Sequence, residues 1–236
     1  MTPTPQQKHL MTQVLNIFET GRAAGNYAAV AIYPDGPGDI RQITYGRSQT
    51  TEYGNLRDLV QRYVQANGRY SEQLAPYVDQ IGKRLLAGDR IFKANLVRAG
   101  RRDPVMRQVQ DTFFDERYFA PAMRWAGDHG FELPLSGLVI YDSWIHSGSI
   151  LRVIRAAFPE RPPSAGGDER AWTTAYVHAR HHFLATHRRP IVRATVYRTE
   201  WLAEQIARGN WNLDQFPLRV RGVEVGRPGV VLGAGC

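Results

Sequence analysis

The apolar residues near the start of the chain repeat at the spacing of a helix. Leu10, Val14 and Phe18 recur every four residues, and glycines follow at positions 21 and 25, where a helix of this length ends. The pattern predicts an amphipathic first helix over residues 7–23, with Glu19 on its last turn.

A different pattern begins at residue 28. Residues 28–33 form a short apolar run, and residues 40–45 form a second one. Asp-Gly and Pro-Gly pairs lie between them, and both pairs are typical of turns. We therefore predict a β-hairpin whose connection carries Asp35 and Asp39.

From residue 56 onward the apolar positions mostly follow helical spacing. Residues 135–145 are strongly apolar, which predicts a helix that crosses the core. The predicted helices cover residues 56–67, 71–86, 89–99, 103–115, 116–128, 135–145, 149–158, 168–186 and 198–208. A small sheet among many helices is an α+β arrangement that is mainly helical.

Length and charge limit the interpretation further. A chain of 236 residues can form one large domain or two closely packed lobes, and we predict a single domain over residues 1–236. The net charge of +8 favours anionic partners. No nucleic-acid-binding motif accompanies this charge, so we expect no nucleic-acid partner.

Cofactors and membranes are not expected from this sequence. Its one cysteine is Cys236, which excludes a disulfide within one chain and a cysteine-based metal site. His181 and His182 are adjacent on a predicted helix and point to different sides, so they do not form a metal site. The chain shows no signal core and no transmembrane run. It resembles a cytoplasmic protein, and a secreted mature form or another export route remains open.

The first helix and the hairpin together supply acid–base chemistry. Hydrolysis of a glycosidic bond requires a carboxylic acid that protonates the leaving oxygen and a carboxylate that activates water or attacks directly. Glu19 lies near a helix C-terminus, where the helix dipole raises the pKa of a carboxyl group and suits it to donate a proton. Asp35 and Asp39 are both candidates for the second carboxylate.

The order of these residues resembles glycoside hydrolase family 46, the chitosanases of the lysozyme-like group. Glu19 is followed by the segment DIRQITYG at residues 39–46. Further similar segments follow in order: FDERYFAPA at residues 114–122, IYDSWIHSG at 140–148, GGDE at 166–169 and ARGNWNL at 207–213. The resemblance spans about residues 10–220. It implies a small sheet lobe at about residues 25–55, a helical lobe at about 56–220 joined by the N-terminal helix, and a substrate cleft between them.

The resemblance also implies roles for particular residues. In an endo-acting, inverting hydrolase of β-1,4-linked amino sugars, Glu19 would be the general acid and Asp39 the general base. Asp35 remains the alternative base. Thr44 would help to hold the attacking water, and Arg41 would orient or screen the acidic cluster. Tyr45, Glu52, Asn55 and His146 are the expected substrate-binding residues.

A supporting network is expected around Asp142. This residue lies inside an apolar helix, where a carboxylate without a partner would be costly. Arg180 and Arg198 match the family's partner positions, and an arginine that reached Glu19 would hold the acid in place. A purely structural salt bridge is the alternative.

The substrate has two candidate identities. The motifs favour chitosan, a polycation, although the chain has Asn55 where we expect an aspartate. The positive charge of the protein favours anionic peptidoglycan and a lysozyme-type endolysin or effector. A third alternative is a polysaccharide-binding protein with the same fold and no catalysis. We expect a monomer.

Overall fold

The computed structural model describes residues 1–47 and 50–226, and it is mainly helical with a small antiparallel sheet, as predicted. Cys236 lies outside the described residues. The helices are α1 (Pro5–Thr20), α2 (Leu56–Gln65), α3 (Ser71–Leu74), α4 (Arg90–Arg102), α5 (Pro104–Phe114), α6 (Ala120–Asp128), α7 (Pro134–Ser147), α8 (Arg152–Arg155), α9 (Glu169–Ala185), α10 (Pro190–Arg193) and α11 (Tyr197–Ala207). The strands are β1 (Val30–Tyr33), β2 (Gln42–Tyr45), β3 (Thr50–Thr51), β4 (Leu218–Val220) and β5 (Val223–Val225).

The chain divides into two compact units. One comprises Met1–Phe18 and the chain from Glu116 onward, and the other is Glu19–Asp115. The predicted small lobe at residues 25–55 is therefore only part of a unit that also contains helices α2 to α5. Helix α4 packs against β1, and α2 packs with α3 and α5, so the lobe boundary expected at residue 56 falls inside one compact unit.

The unit Glu19–Asp115 is built on a three-stranded sheet in the order β1-β2-β3. Strands β1 and β2 pair antiparallel with Val30 opposite Tyr45 and Tyr33 opposite Gln42, which confirms the predicted hairpin. All four residues of β2 are buried, since this strand lies in the middle of the sheet. The connection between β1 and β2 contains a 3₁₀ turn at Pro37–Asp39.

The other unit is built around helix α7. Residues 134–143 are all buried, and α7 packs against α6, α9 and α11. This confirms the helix predicted from the apolar run. Gly148 has a left-handed backbone (φ +76°), a conformation that costs glycine little, and α7 ends there.

Three predicted helices are shorter or less regular than expected. The prediction over residues 71–86 is wrong, because α3 gives way to a 3₁₀ turn at Ala75–Tyr77, where Pro76 has no backbone N–H to continue a helix. The prediction over 149–158 reduces to α8. Residues 116–128 begin as a π-helix at Asp115–Phe119, and α6 follows. In the described part of the chain, no helix combines the length and apolar character needed to cross a membrane.

Candidate active site

Glu19 lies on the last turn of α1, as predicted, and is half-buried. The residue before it, Phe18, is buried and contacts the rings of Tyr197 and Trp201 edge-on, each at a centroid distance of 5.9 Å. The guanidinium of Arg198 lies over the same ring, 5.4 Å from its centroid. Side chains of α11 therefore hold the end of α1 immediately before Glu19.

The two carboxylates of the hairpin connection have different surroundings. Asp35 is half-buried, and its Oδ1 accepts a hydrogen bond from Gln42 Nε2 at 2.9 Å. Gln42 in turn accepts one from the backbone N–H of Tyr53, so Asp35 belongs to a network that shapes the turn. Asp39 is exposed and has a left-handed backbone (φ +60°), which aspartate adopts more readily than most residues.

Arg41 and Thr44 follow Asp39 on the same arm of the hairpin. Arg41 is exposed and directly precedes β2. Thr44 is buried, and its hydroxyl donates to the carbonyl of Ala31, its partner on β1, at 3.3 Å. The chain thus places a solvent-facing carboxylate, a cation and a hydroxyl within six residues.

Asp142 is the centre of a buried ionic network. Its Oδ2 accepts a hydrogen bond from Arg180 Nη1 and its Oδ1 accepts one from Arg198 Nη1, each at 2.6 Å. The three side chains are 0%, 1% and 3% exposed. Burial alone would raise the pKa of the Asp142 carboxyl, but the two guanidinium groups outweigh burial and lower that pKa. The predicted partners of Asp142 are therefore the observed ones.

The network has further nitrogen atoms turned to the interior. Within residues 1–47 and 50–226, Arg180 Nε and Nη2 are buried and have no hydrogen-bond partner.

His146 lies one turn after Asp142 on α7 and is half-buried. Burial, and then the charges of Arg198 and Arg180, lower the pKa of His146 to about 3 and outweigh the opposing effect of Asp142. His146 is accordingly a neutral hydrogen-bonding group.

Two residues expected to bind substrate lie in the protein interior instead. Tyr45 is completely buried, and its hydroxyl donates to the carbonyl of Leu96 at 2.8 Å. Glu52 is 1% exposed and accepts hydrogen bonds from the backbone N–H groups of Ile43 and Leu86. Both side chains bind the protein's own backbone, so their assignment to substrate binding is wrong. Asn55 is half-buried, directly before α2.

Other expected or overlooked residues take structural positions. His181 Nδ1 is 3.0 Å from Thr199 Oγ1, and the described residues contain no group of three or more His, Cys, Asp or Glu side chains that could hold a metal ion. The sequence interpretation did not include Tyr197 or Trp201. Their spacing of four on one helix, on either side of Arg198, is the signal that could have indicated them.

Comparison with known proteins identifies the family. The sequence model of glycosyl hydrolase family 46 matches residues 13–218. The chain belongs to glycosyl hydrolase family 46. A chitosanase from Bacillus subtilis (strain 168) is 28% identical over 239 residues, which cover 93% of this chain and 83% of that protein.

Solved family 46 structures match the whole fold. The chitosanase of Gynuella sunshinyii in complex with chitotetraose superposes with a TM-score of 0.80 at 26% identity, over 95% of this chain and 98% of that one. The native chitosanase of Bacillus subtilis MY002 gives 0.80 at 25% identity, over 93% and 96%. A mutant of the MY002 enzyme complexed with 6 GlcN gives the same values.

These comparisons confirm three predictions. The family is glycosyl hydrolase family 46, the fold is the lysozyme-like fold of its chitosanases, and the protein is a glycoside hydrolase of the chitosanase type. They give no support to the peptidoglycan and non-catalytic alternatives. The family match spans both compact units.

Proposed function

We propose that this family 46 enzyme is an endo-acting hydrolase of the β-1,4 linkages of chitosan, with inversion at the anomeric carbon. The observation that carries the proposal is the exposure of Asp39 at the motif position of the base, in a chain that matches the family over most of its length. Asp35 is half-buried on the same loop. Relatives of similar length have been solved with chitotetraose and with 6 GlcN, which supports chitosan as the polymer.

The reaction divides between two carboxyl groups. Glu19 donates its proton to the glycosidic oxygen as the bond from that oxygen to the anomeric carbon breaks. A water molecule attacks the anomeric carbon from the opposite face, and Asp39 takes the proton that this water releases. Thr44 helps to hold the water through its hydroxyl, and the cation of Arg41 orients or screens the acidic cluster.

The buried network supports the acid indirectly. Asp142 holds Arg198 through a hydrogen bond of 2.6 Å, and Arg198 lies over the ring of Phe18, the residue before Glu19. The proposed role of Asp142, Arg180 and Arg198 is to keep the end of α1 in one place. Catalysis depends on such positioning, because misplacement of a reacting group by about 1 Å can cost about 100-fold in rate.

Two remaining proposals concern the substrate and the assembly. His146 is neutral, so it adds no positive charge that would repel the ammonium groups of chitosan, and Asn55 and His146 are the retained candidates for substrate contact. We further propose that residues 1–236 are a single catalytic domain and that the protein works as a monomer. Size-exclusion chromatography with light scattering should give the mass of one chain, 26.7 kDa.

The substrate is tested by parallel assays of the purified protein. We expect reducing sugars to be released from chitosan and no loss of turbidity from peptidoglycan suspensions. Clearing of peptidoglycan without chitosan cleavage would replace the proposal with a muramidase. Binding of either polymer without cleavage under any condition would make the protein a non-catalytic binding protein.

The acid and base are tested by isosteric variants. Glu19→Gln and Asp39→Asn should each abolish chitosan hydrolysis, because each loses a proton-transfer group. Asp35→Asn is the matched control on the same loop and should retain most of the activity. If Asp35→Asn is inactive and Asp39→Asn is active, the base assignment is reversed. Activity in Glu19→Gln would remove Glu19 from the mechanism.

Stereochemistry gives an independent test. Proton NMR during the first minutes of hydrolysis should show the α-anomer as the initial product, because inversion of a β-linkage yields it. An initial β-anomer would exclude the inverting mechanism.

A further inference from the structure

We propose that Tyr197 is a positioning residue for Glu19, acting through the backbone of α1. This inference rests on the proposed role of Glu19 as the general acid. Tyr197 is the first residue of α11, and its hydroxyl donates a hydrogen bond of 2.8 Å to the carbonyl oxygen of Phe18. The two residues are 179 positions apart in the sequence.

The Phe18 carbonyl that accepts this hydrogen bond lies at the end of a helix, where the helix is weakest. Helix α1 ends at Thr20, and the last four carbonyl groups of a helix have no N–H partner within that helix. Phe18 is one of these four residues, and Glu19 follows it. Helix ends fray unless other groups satisfy these carbonyls. Tyr197 supplies the missing donor at the peptide group that joins Phe18 to Glu19.

The tyrosine ring is itself held from several sides. Its edge packs against Phe18 at a centroid distance of 5.9 Å, and the guanidinium groups of Arg198 and Arg221 lie 5.9 Å and 4.2 Å from its centroid. Asp142 fixes Arg198, as described above. Little rotamer freedom is left to Tyr197, so its hydroxyl is a fixed point against which the end of α1 is set.

The β4–β5 hairpin contributes to this arrangement. Trp201, one turn after Tyr197 on α11, donates its indole N–H to the carbonyl of Arg219 at 2.8 Å. Arg219 belongs to β4, and Arg221 lies in the turn that follows. The hairpin therefore places a cation over the tyrosine that holds the acid-bearing helix.

The central test is Tyr197→Phe, which keeps the ring and removes only the hydroxyl. We expect kcat on chitosan to fall about tenfold, which corresponds to ~1.4 kcal/mol in activation free energy. KM should stay within about twofold, because a group that acts on the position of the acid changes the chemical step and leaves substrate binding nearly unchanged. Arg221→Ala, which loosens the ring without altering the hydroxyl, should lower kcat in the same direction and to a smaller extent.

Tyr63→Phe is the matched control. It also deletes a buried hydroxyl, one that donates to Asp103 in the other unit. This control should lower the thermal midpoint and leave kcat unchanged, which separates loss of stability from loss of positioning. If both Tyr→Phe variants lose kcat in proportion to their loss of stability, Tyr197 has only a structural role and the inference is wrong.

The activities of Tyr197→Phe and Glu19→Gln, measured side by side, separate this inference from the proposed function. A wild-type kcat for Tyr197→Phe beside an inactive Glu19→Gln would overturn the inference and leave the proposed function intact. A raised KM at constant kcat would show that Tyr197 contacts substrate, which also overturns it. Full activity of Glu19→Gln would overturn the proposed function itself.

Discussion

Asp142 Oδ2 lies 2.6 Å from Arg180 Nη1, and both side chains are almost completely excluded from solvent. A buried ion pair gains little net stability over an apolar replacement, but removal of one partner leaves an uncompensated charge. We predict that Asp142→Asn costs about 3–5 kcal/mol of unfolding free energy and most of the activity, because Arg180 and Arg198 would face each other without an anion. Urea unfolding at about pH 7 measures the loss of unfolding free energy.

A surface pair provides the comparison for Asp142. Arg57 and Asp79 form an ion pair with side chains 46% and 84% exposed. Asp79→Asn should change the unfolding free energy by less than about 1 kcal/mol, since solvent screens exposed charges. Equal losses of unfolding free energy in Asp79→Asn and Asp142→Asn would contradict the prediction that a buried ion pair is more sensitive to the loss of one partner than an exposed pair.

The pH dependence of stability should carry the signature of His146. Its pKa is about 3 in the folded protein against an ordinary value of 6.5, so the unfolded chain binds more protons between these values. Stability attributable to His146 is therefore complete above pH 6.5 and is lost as the pH falls toward 3. Relative to His146→Gln, the wild type should lose stability on acidification, with a limiting slope of about 1.4 kcal/mol per pH unit.

Unfolding curves of both proteins, measured between about pH 4 and 7, test this prediction. Asp142, Arg180 and Arg198 are present in both proteins, so their own titration cancels in the difference. Parallel stability curves for wild type and His146→Gln would show that the imidazole titrates normally.

Glu52 should matter for stability and not for substrate affinity. Its carboxylate accepts hydrogen bonds from Ile43 N–H at 3.1 Å and Leu86 N–H at 2.8 Å. Glu52→Gln keeps one acceptor oxygen and replaces the other with a donor, which leaves a buried N–H unsatisfied at a cost of about 1–3 kcal/mol. We expect a lower thermal midpoint with an unchanged KM for chitosan, and a large rise in KM at an unchanged midpoint would restore Glu52 to the binding site.

Asn55→Asp should improve the enzyme on a cationic polymer. An aspartate at the start of α2 interacts favourably with the helix dipole, by about 0.3–1 kcal/mol. If Asn55 lies near the substrate, the added charge should lower KM for chitosan by about fivefold at low salt, with a smaller gain at high salt.

Asn67→Asp is the control for this charge change. It adds the same charge just beyond the other end of α2, at an exposed position. It should leave KM nearly unchanged. Equal decreases in KM for both variants would mean that only the net charge of the protein matters.

Several features were predictable because they depend on local sequence. The period of the apolar residues places Glu19 on the last turn of α1, and paired turn residues between two apolar runs define the β1–β2 hairpin. A buried carboxylate requires partners, so the position of Asp142 in an apolar helix indicated an ion pair. The order of the short motifs indicated the family, because the spacing of the motif residues along the hairpin can be read directly from the sequence.

The tertiary structure alone decided which polar side chains face solvent. Glu52 carries a carboxylate like that of Asp39, and Tyr45 carries a hydroxyl, but distant backbone groups of Leu86 and Leu96 take up their hydrogen bonds. The contact between Tyr197 and Phe18 joins residues that are 179 positions apart in the sequence. Periodicity encodes helices and strands because neighbours along the chain determine them. Burial and hydrogen-bond partners depend on residues far apart in sequence, and only folding brings those residues together.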